Sequence, residues 1–178
     1  PGGAVELHDG AHASLDLALV GNCAVAALID RNASVVWSCM PRFDSAPVFH
    51  ALLDSATGLP DEGSMSVMLE GCTRSTQAYE PGTAVLRTCL FSAGGDAIEV
   101  TDFAPRFHHH DRMFRPAQLV RRIRPLAGQP RIRITVRPRG DWGASAPLQT
   151  RGSNHLRYVL PDVTLRLNTN APPTYIAE

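Results

Sequence analysis

The sequence contains no lysine: all 17 of its basic side chains are arginine. A coding bias of the source genome explains that more simply than any function. Charge of either kind is sparse at 19% of 178 residues, while 44% are hydrophobic and apolar segments recur throughout, which excludes a disordered chain. No apolar run approaches the roughly 18–20 residues that cross a bilayer, so an integral membrane protein is excluded. The 17 basic and 17 acidic residues cancel. A surface that is one large electrostatic trap for nucleic acid or anionic lipid is therefore excluded too. What remains is a soluble globular chain, long enough for one domain and able to bury a core without staples.

Catalytic and cofactor signatures are also missing. No H-E-x-x-H is present, and no phosphate-cradling glycine loop leads into a helix. No Ser-His-Asp arrangement is legible. Asp44, Asp102 and Asp141 are carboxylates with no spacing that pairs them for glycoside hydrolysis. Cys23, Cys39, Cys72 and Cys89 have neither C-x-x-C spacing nor a histidine at zinc-like distance. Three of them, Cys23, Cys39 and Cys89, lie in apolar strand-like runs and read as reduced core thiols, which points to the cytoplasm. No cofactor and no metal is expected.

The zero net charge hides an asymmetry. Residues 1–102 carry four arginines against 13 acids, whereas residues 103–178 carry 13 arginines against four acids. Such halves either neutralise each other across the fold or face a charged partner.

What is present is a period of two. Arg131–Arg137 alternates arginine with Ile132, Ile134 and Val136, and Thr164–Asn168 repeats the pattern. Ala84–Phe91 and Ala97–Phe103 flank Ser92–Asp96 as a hairpin. Cys23–Ile29 and Ser34–Met40 flank an Asp30–Ala33 turn in which Asn32 can take the left-handed backbone conformation. Leu119–Arg124 and Arg131–Arg137 flank the turn Pro125–Pro130 as neighbouring strands. Short strands broken by 14 glycines and 14 prolines predict an all-β antiparallel sandwich. One short helical turn is expected over Pro47–Leu53, capped by Ser45.

The densest cluster of distinctive side chains is Trp37–Ser45. Pro41 ends a strand there and Arg42, Phe43 and Asp44 follow on a loop. Trp37 and Phe43 offer apolar faces, and Arg42 and Asp44 offer directional hydrogen bonds, a set suited to a sugar ring. Taken alone, these residues favour a plainer arrangement in which Arg42 pairs with Asp44 and Phe43 plugs the sandwich end. His108, His109 and His110, followed by Asp111, invite a metal, but consecutive side chains on an extended strand point oppositely. They read as a solvated loop tip. The arginine strip from Arg112 to Arg139 could hold nucleic acid, yet stacking aromatics are not interleaved on its strands, which argues against that partner.

Further stretches carry a family likeness. Leu17–Cys23, Ala26–Ile29, Trp37–Ser45, Tyr79–Leu86, Val100–Arg106, Leu119–Arg122 and Asp141–Gly143 together closely resemble, in the same order, the opening of bacterial glycoside hydrolase family 15 proteins of glucoamylase-like and trehalase-like type. The Pro41–Ser45 segment is the most specific part. Asn32-Ala33 departs from the family, which often has Asp-Gly at that turn.

The resemblance implies a large antiparallel supersandwich of galactose-mutarotase-like form that precedes a catalytic (α/α)6 barrel. It places both catalytic glutamates on that barrel, so no catalytic residue is assigned here. It also implies that residues 1–178 form one N-terminal domain, incomplete at its C-terminal end. Asn170–Glu178 would then lie mid-sandwich, and unpaired strands would invite a homodimer. The expected role is to pack against the barrel, with Trp37, Arg42, Phe43 and Asp44, and more weakly Arg106 and Asp141, on the rim around an α-glucoside or oligosaccharide. The alternatives are a free-standing carbohydrate-binding module and an arginine-rich nucleic-acid-binding β domain.

Overall fold

A computed structural model describes residues 5–6, 15–53 and 62–176. Sixteen strands appear among them: β1 (Val5–Glu6), β2 (Ala18–Gly21), β3 (Ala26–Ile29), β4 (Val35–Cys39), β5 (Pro47–Phe49), β6 (Met65–Leu69), β7 (Cys72–Tyr79), β8 (Leu86–Ser92), β9 (Ala97–Phe103), β10 (Phe107–His109), β11 (Arg112–Phe114), β12 (Val120–Ala127), β13 (Ile132–Val136), β14 (Leu148–Arg151), β15 (His155–Val159) and β16 (Thr164–Asn168). One sheet has the order β1-β7-β8-β9-β12, and a second the order β13-β6-β4-β3-β2 with β5 beside β4. A three-stranded sheet, β14-β15-β16, follows, and β10 pairs only with β11. Every pairing is antiparallel, as the alternation and turns predict.

The two large sheets face each other because their period-two residues meet between them. Val20, Ala27, Ile29 and Val35 of one sheet pack with Leu86 of the other. Val67 and Leu69 likewise pack with Leu90, Ile98 and Val100. Burial at about 25 cal/mol per Å2 of apolar surface makes these contacts the main driving force of the fold. Leu156, Tyr158 and Ile176 form a third cluster, against which Ile134 and Val136 pack.

The charged halves partly neutralise each other. Arg121 pairs with Asp102, Arg124 with Glu99, and Arg137 and Arg139 with Glu62.

Four local expectations are corrected. The β8–β9 hairpin forms as read, closed by Ser92 Oγ accepting from the Asp96 N–H at 3.0 Å. Strands β12 and β13, however, do not pair: β12 adds to β9 and β13 to β6. Pro125–Pro130 is therefore a crossover between sheets, and the arginine strip is split. Arg121, Arg122 and Arg124 lie on one sheet, and Arg133 lies on the other. Pro47–Phe49 is a strand, because adding to β4 buries Val48 and Phe49. Only Ala51–Leu53 is helical, as a 3-10 turn, and the Ser45 N–H donates to the Arg42 carbonyl instead of Ser45 capping a helix. In the β3–β4 turn the left-handed residue is Ala33, with φ 63°, and not Asn32. Asp30 Oδ1 accepts from the N–H groups of Asn32 and Ser34 and so sets that register.

Between β12 on one side and β13 and β16 on the other, the described residues leave the interior incompletely covered. The inward-facing Ile123, Ile134, Val136, Leu165 and Leu167 are only half-buried. Ile123, Ile134, Val136 and Leu167 line a cleft of about 810 Å3, which adjoins a second of about 470 Å3 lined in part by Leu165.

Candidate substrate rim

The site is built at one end of the sandwich. The β2–β3 hairpin turns there, since Gly21 pairs with Ala26 and Ala26 pairs with Cys39 at the end of β4. Beyond Cys39 the chain bends through Pro41–Ser45 before returning as β5. On this bend Arg42 grips Asp44 through two parallel hydrogen bonds, Nε to Oδ1 and Nη2 to Oδ2, both 2.9 Å. The guanidinium holds the Asp44 carboxyl below the usual aspartate range. The pairing expected from sequence is thus present. Phe43, though, does not plug the sandwich; it is 55% exposed, because the bend turns it outward.

Asp141 arrives at the same end from a distant part of the chain. Gly140 and Ser145 exchange backbone hydrogen bonds of 2.9 and 3.0 Å and pinch off the turn Asp141–Ala144. Asp141 and Trp142 both take left-handed backbone angles, φ 50° and 54°, a conformation that costs non-glycine residues energy and that the surrounding structure must hold. The turn seats on His50. A Cβ on Gly143, whose φ is 100°, would lie 2.9 Å from His50 Cε1. A Cβ on Gly63 would lie 2.8 Å from the same ring, so two glycine backbones approach the imidazole closely.

This seating brings Trp142 to Trp37. Their ring centroids are 6.3 Å apart at 54°, and Trp142 is 62% exposed. Trp37 itself stands on the outer face of β4, opposite Leu28 of β3. Trp142 was not among the sequence candidates. The only signal for it was its place in the Asp141–Gly143 segment, since the contact with Trp37 joins residues remote in the chain.

Met40, Pro41, Ser45, Gly140 and Asp141 line a crevice of about 100 Å3. Ordinary ligand pockets hold about 300–1,000 Å3, so this crevice is an edge that needs a facing surface. The arrangement offers two indoles and a phenyl ring for the C–H face of a sugar, and Arg42, Asp44 and Asp141 for its hydroxyls.

Arg106 lies at this end but in another neighbourhood, with Nη1 3.7 Å from Cys23 Sγ. His108, His109 and His110 are exposed, as expected, but they belong to the β10–β11 hairpin and not to an irregular loop. Among the described residues no group of three or more His, Cys, Asp or Glu is placed to hold a metal ion. All four cysteines are free thiols, but the core placement expected for Cys23, Cys39 and Cys89 is corrected. Cys23 is exposed in the β2–β3 turn at φ 69°, and Cys39 and Cys89 are half-buried. Partial burial pushes the thiols of Cys39 and Cys89 up from their ordinary value. Among the described residues no helix is long and apolar enough to cross a membrane.

Fold and rim together define an antiparallel β-sandwich domain with an exposed aromatic end. Residues 9–164 match the family described as trehalase-like, N-terminal, and the chain belongs to that family. It is 29% identical over 180 residues to a trehalase of Mycolicibacterium smegmatis, covering 87% of this chain and 26% of that relative. It is 23% identical to a trehalase of Thermoplasma volcanium, covering 86% of this chain and 24% of the relative. For trehalase 1 of Sulfolobus acidocaldarius the figures are 29%, 82% and 23%. The chain thus spans about a quarter of the length of these relatives. No solved structure gives a significant match.

Proposed function

We propose that this sandwich is the non-catalytic N-terminal domain of a family 15 glycoside hydrolase of trehalase type, which works beside a catalytic (α/α)6 barrel. The observation that carries this reading is the meeting of the Trp37–Ser45 segment, with its Arg42–Asp44 pair, and the Asp141–Trp142 turn at one sandwich end, in a chain of the trehalase-like N-terminal family. An edge of this kind is useful when a second surface closes over it. The domain's part is to brace the barrel and to present hydroxyl-binding groups at the mouth of the α-glucoside site.

The uncovered interior supports the view that further strands complete the sandwich. The edges of β12, β13 and β16 flank the cleft lined by Ile123, Ile134 and Leu167. These strands come from the rest of the parent polypeptide, the alternative source being a second copy of the domain. The free thiols support a cytoplasmic setting.

The test is trehalose hydrolysis by the full polypeptide encoded by the gene, with maltose and longer glucans as comparisons. Arg42→Ala and Asp44→Ala should raise KM or lower kcat on trehalose without moving the thermal midpoint. Arg42 and Asp44 pair in solvent, where ion pairs add little to stability. Unchanged kinetics would remove the rim role. A full polypeptide that ends near residue 178 and binds glucans unaided would replace the accessory reading with a carbohydrate-binding module, which the exposed Trp142 also suits.

A further inference from the structure

The β10–β11 hairpin stands apart from both sheets, and all six of its strand residues are exposed. Its turn residues His110 and Asp111 have φ of 46° and 57°, so the two-residue connection twists with the strands. Phe107 and Phe114 are cross-strand partners, with ring centroids 5.7 Å apart and planes within 11°. They are 50% and 41% exposed, and Met113 on the other face is 37% exposed. A lone two-stranded hairpin is marginal in water, and exposed apolar clusters mark interaction surfaces.

This arm is not a slack loop, because its root is fastened. The Asn22 side-chain amide donates to the carbonyl of Pro105 at 2.8 Å, just before the arm, and to that of Pro116 at 2.8 Å, just after it. Asn22 Oδ1 accepts from the N–H groups of Ala24 and Val25. Asn22 is 2% exposed and fills its hydrogen-bonding capacity, with Oδ1 anchored in the β2–β3 turn and both amide protons fixing where the arm leaves the sandwich. The arm leaves from the end that carries the aromatic rim, since Pro41 and Pro116 line the same cleft.

The charge on the arm narrows the partner. Arg106, Arg112 and Arg115 flank the phenylalanines and Asp111 is the only acid from Arg106 to Arg115. Neither Arg112 nor Arg115 has an ion-pair partner among the described residues. Aromatic anchors with an arginine rim are the composition of interface hot spots.

We propose that the β10–β11 arm docks into an apolar slot with an acidic rim on the companion catalytic domain, inserting Phe107 and Phe114 and pairing Arg112 and Arg115 at the edge. This rests on the reading of the chain as an accessory domain. It adds a specific fastening between that domain and the barrel, beside the substrate rim.

The test is hydrogen–deuterium exchange on the full polypeptide, with Arg112→Glu/Arg115→Glu and Phe107→Ser/Phe114→Ser variants. The arginine variant leaves the phenylalanine pair in place, so the arm itself survives. In both variants, an acidic segment beyond residue 178 should exchange at least roughly tenfold faster than in the wild type. Asn22→Ala should have the same effect more weakly. If no segment beyond residue 178 responds, or if the full polypeptide has no such segment, the proposal is overturned. Arm protection that appears only at high protein concentration, or only with trehalose present, overturns it in favour of self-association or sugar binding. A polypeptide that shows the paired loss of protection but hydrolyses no trehalose keeps the arm's role and rejects the substrate assignment.

Discussion

Arg121 and Asp102 form a doubly hydrogen-bonded ion pair, Nε to Oδ1 at 2.7 Å and Nη2 to Oδ2 at 3.0 Å, with each side chain only 6% exposed. The pair joins neighbouring strands β12 and β9, and Arg121 Nη1 also donates to the carbonyl of Met65 on β6 at 3.2 Å. One side chain therefore ties the two sheets together beside the uncovered cleft. The fold needs both partners, because either one left alone would be a buried, uncompensated charge.

Removing one member should therefore cost far more than losing a surface pair. Asp102→Ala and Arg121→Ala are each expected to lower unfolding stability by about 3–5 kcal/mol, a size typical of breaking a buried pair. The double replacement Asp102→Leu/Arg121→Met should recover a good part of that loss. Urea unfolding of the four proteins checks this; a double variant less stable than both single variants would show that the loss does not come from leaving one buried charge unpaired.

The parts of this fold legible in the sequence are those settled within a few residues. Ser92–Asp96 closes the β8–β9 hairpin through its own backbone and Ser92 Oγ, so the turn could be read directly. The Arg42–Asp44 pair is local in the same way. The partners of β12 and β13 were not legible. The alternation of Arg121, Arg122 and Ile123 looks the same whichever sheet receives the strand, and only contacts with β9 and β6 decide it. The Trp37–Trp142 contact depends on the Gly143–His50 seat and is tertiary throughout. The β10–β11 arm does carry a local signal: Phe107 and Phe114 are symmetric about His110-Asp111, and aspartate tolerates the left-handed conformation its turn requires.

Asp30 supplies a dependence on pH. Its half-buried carboxyl is pushed above its ordinary value of 3.8, chiefly by desolvation, against the lowering effects of the Ser34 and Asn32 N–H groups and of Arg121. A carboxyl whose pKa rises on folding holds its proton longer in the native state. Its contribution to stability therefore falls as pH rises from the ordinary aspartate range through the folded value, and stays lower above it. Asparagine can accept the same two backbone hydrogen bonds without ionising. Asp30→Asn should thus be more stable than wild type at neutral pH, with the difference closing near about pH 3.5. Unfolding midpoints at the two pH values check this. An asparagine variant weakened equally at both would show that the carboxylate is needed for its hydrogen bonds.

The Trp142 turn can be tested through the glycine that seats it. Gly143→Ala places a methyl group 2.9 Å from His50 Cε1 at φ 100°, so both the backbone and the histidine must yield. Gly71→Ala, in the β6–β7 turn, has a comparable φ of 66°, but its nearest neighbour is Ser92 Cβ at 3.9 Å. Both substitutions should lower stability by about 1–3 kcal/mol through the left-handed backbone. Only Gly143→Ala should disturb the indole pair. The chain has two tryptophans, Trp37 and Trp142, which are that pair, so its fluorescence on selective tryptophan excitation reports on the rim alone. Gly143→Ala should shift the emission spectrum of the folded protein and lower kcat/KM for trehalose in the full polypeptide, while Gly71→Ala leaves both as in wild type. A shifted spectrum with unchanged kinetics would leave the indole pair a structural role and move the sugar contacts to Arg42 and Asp44.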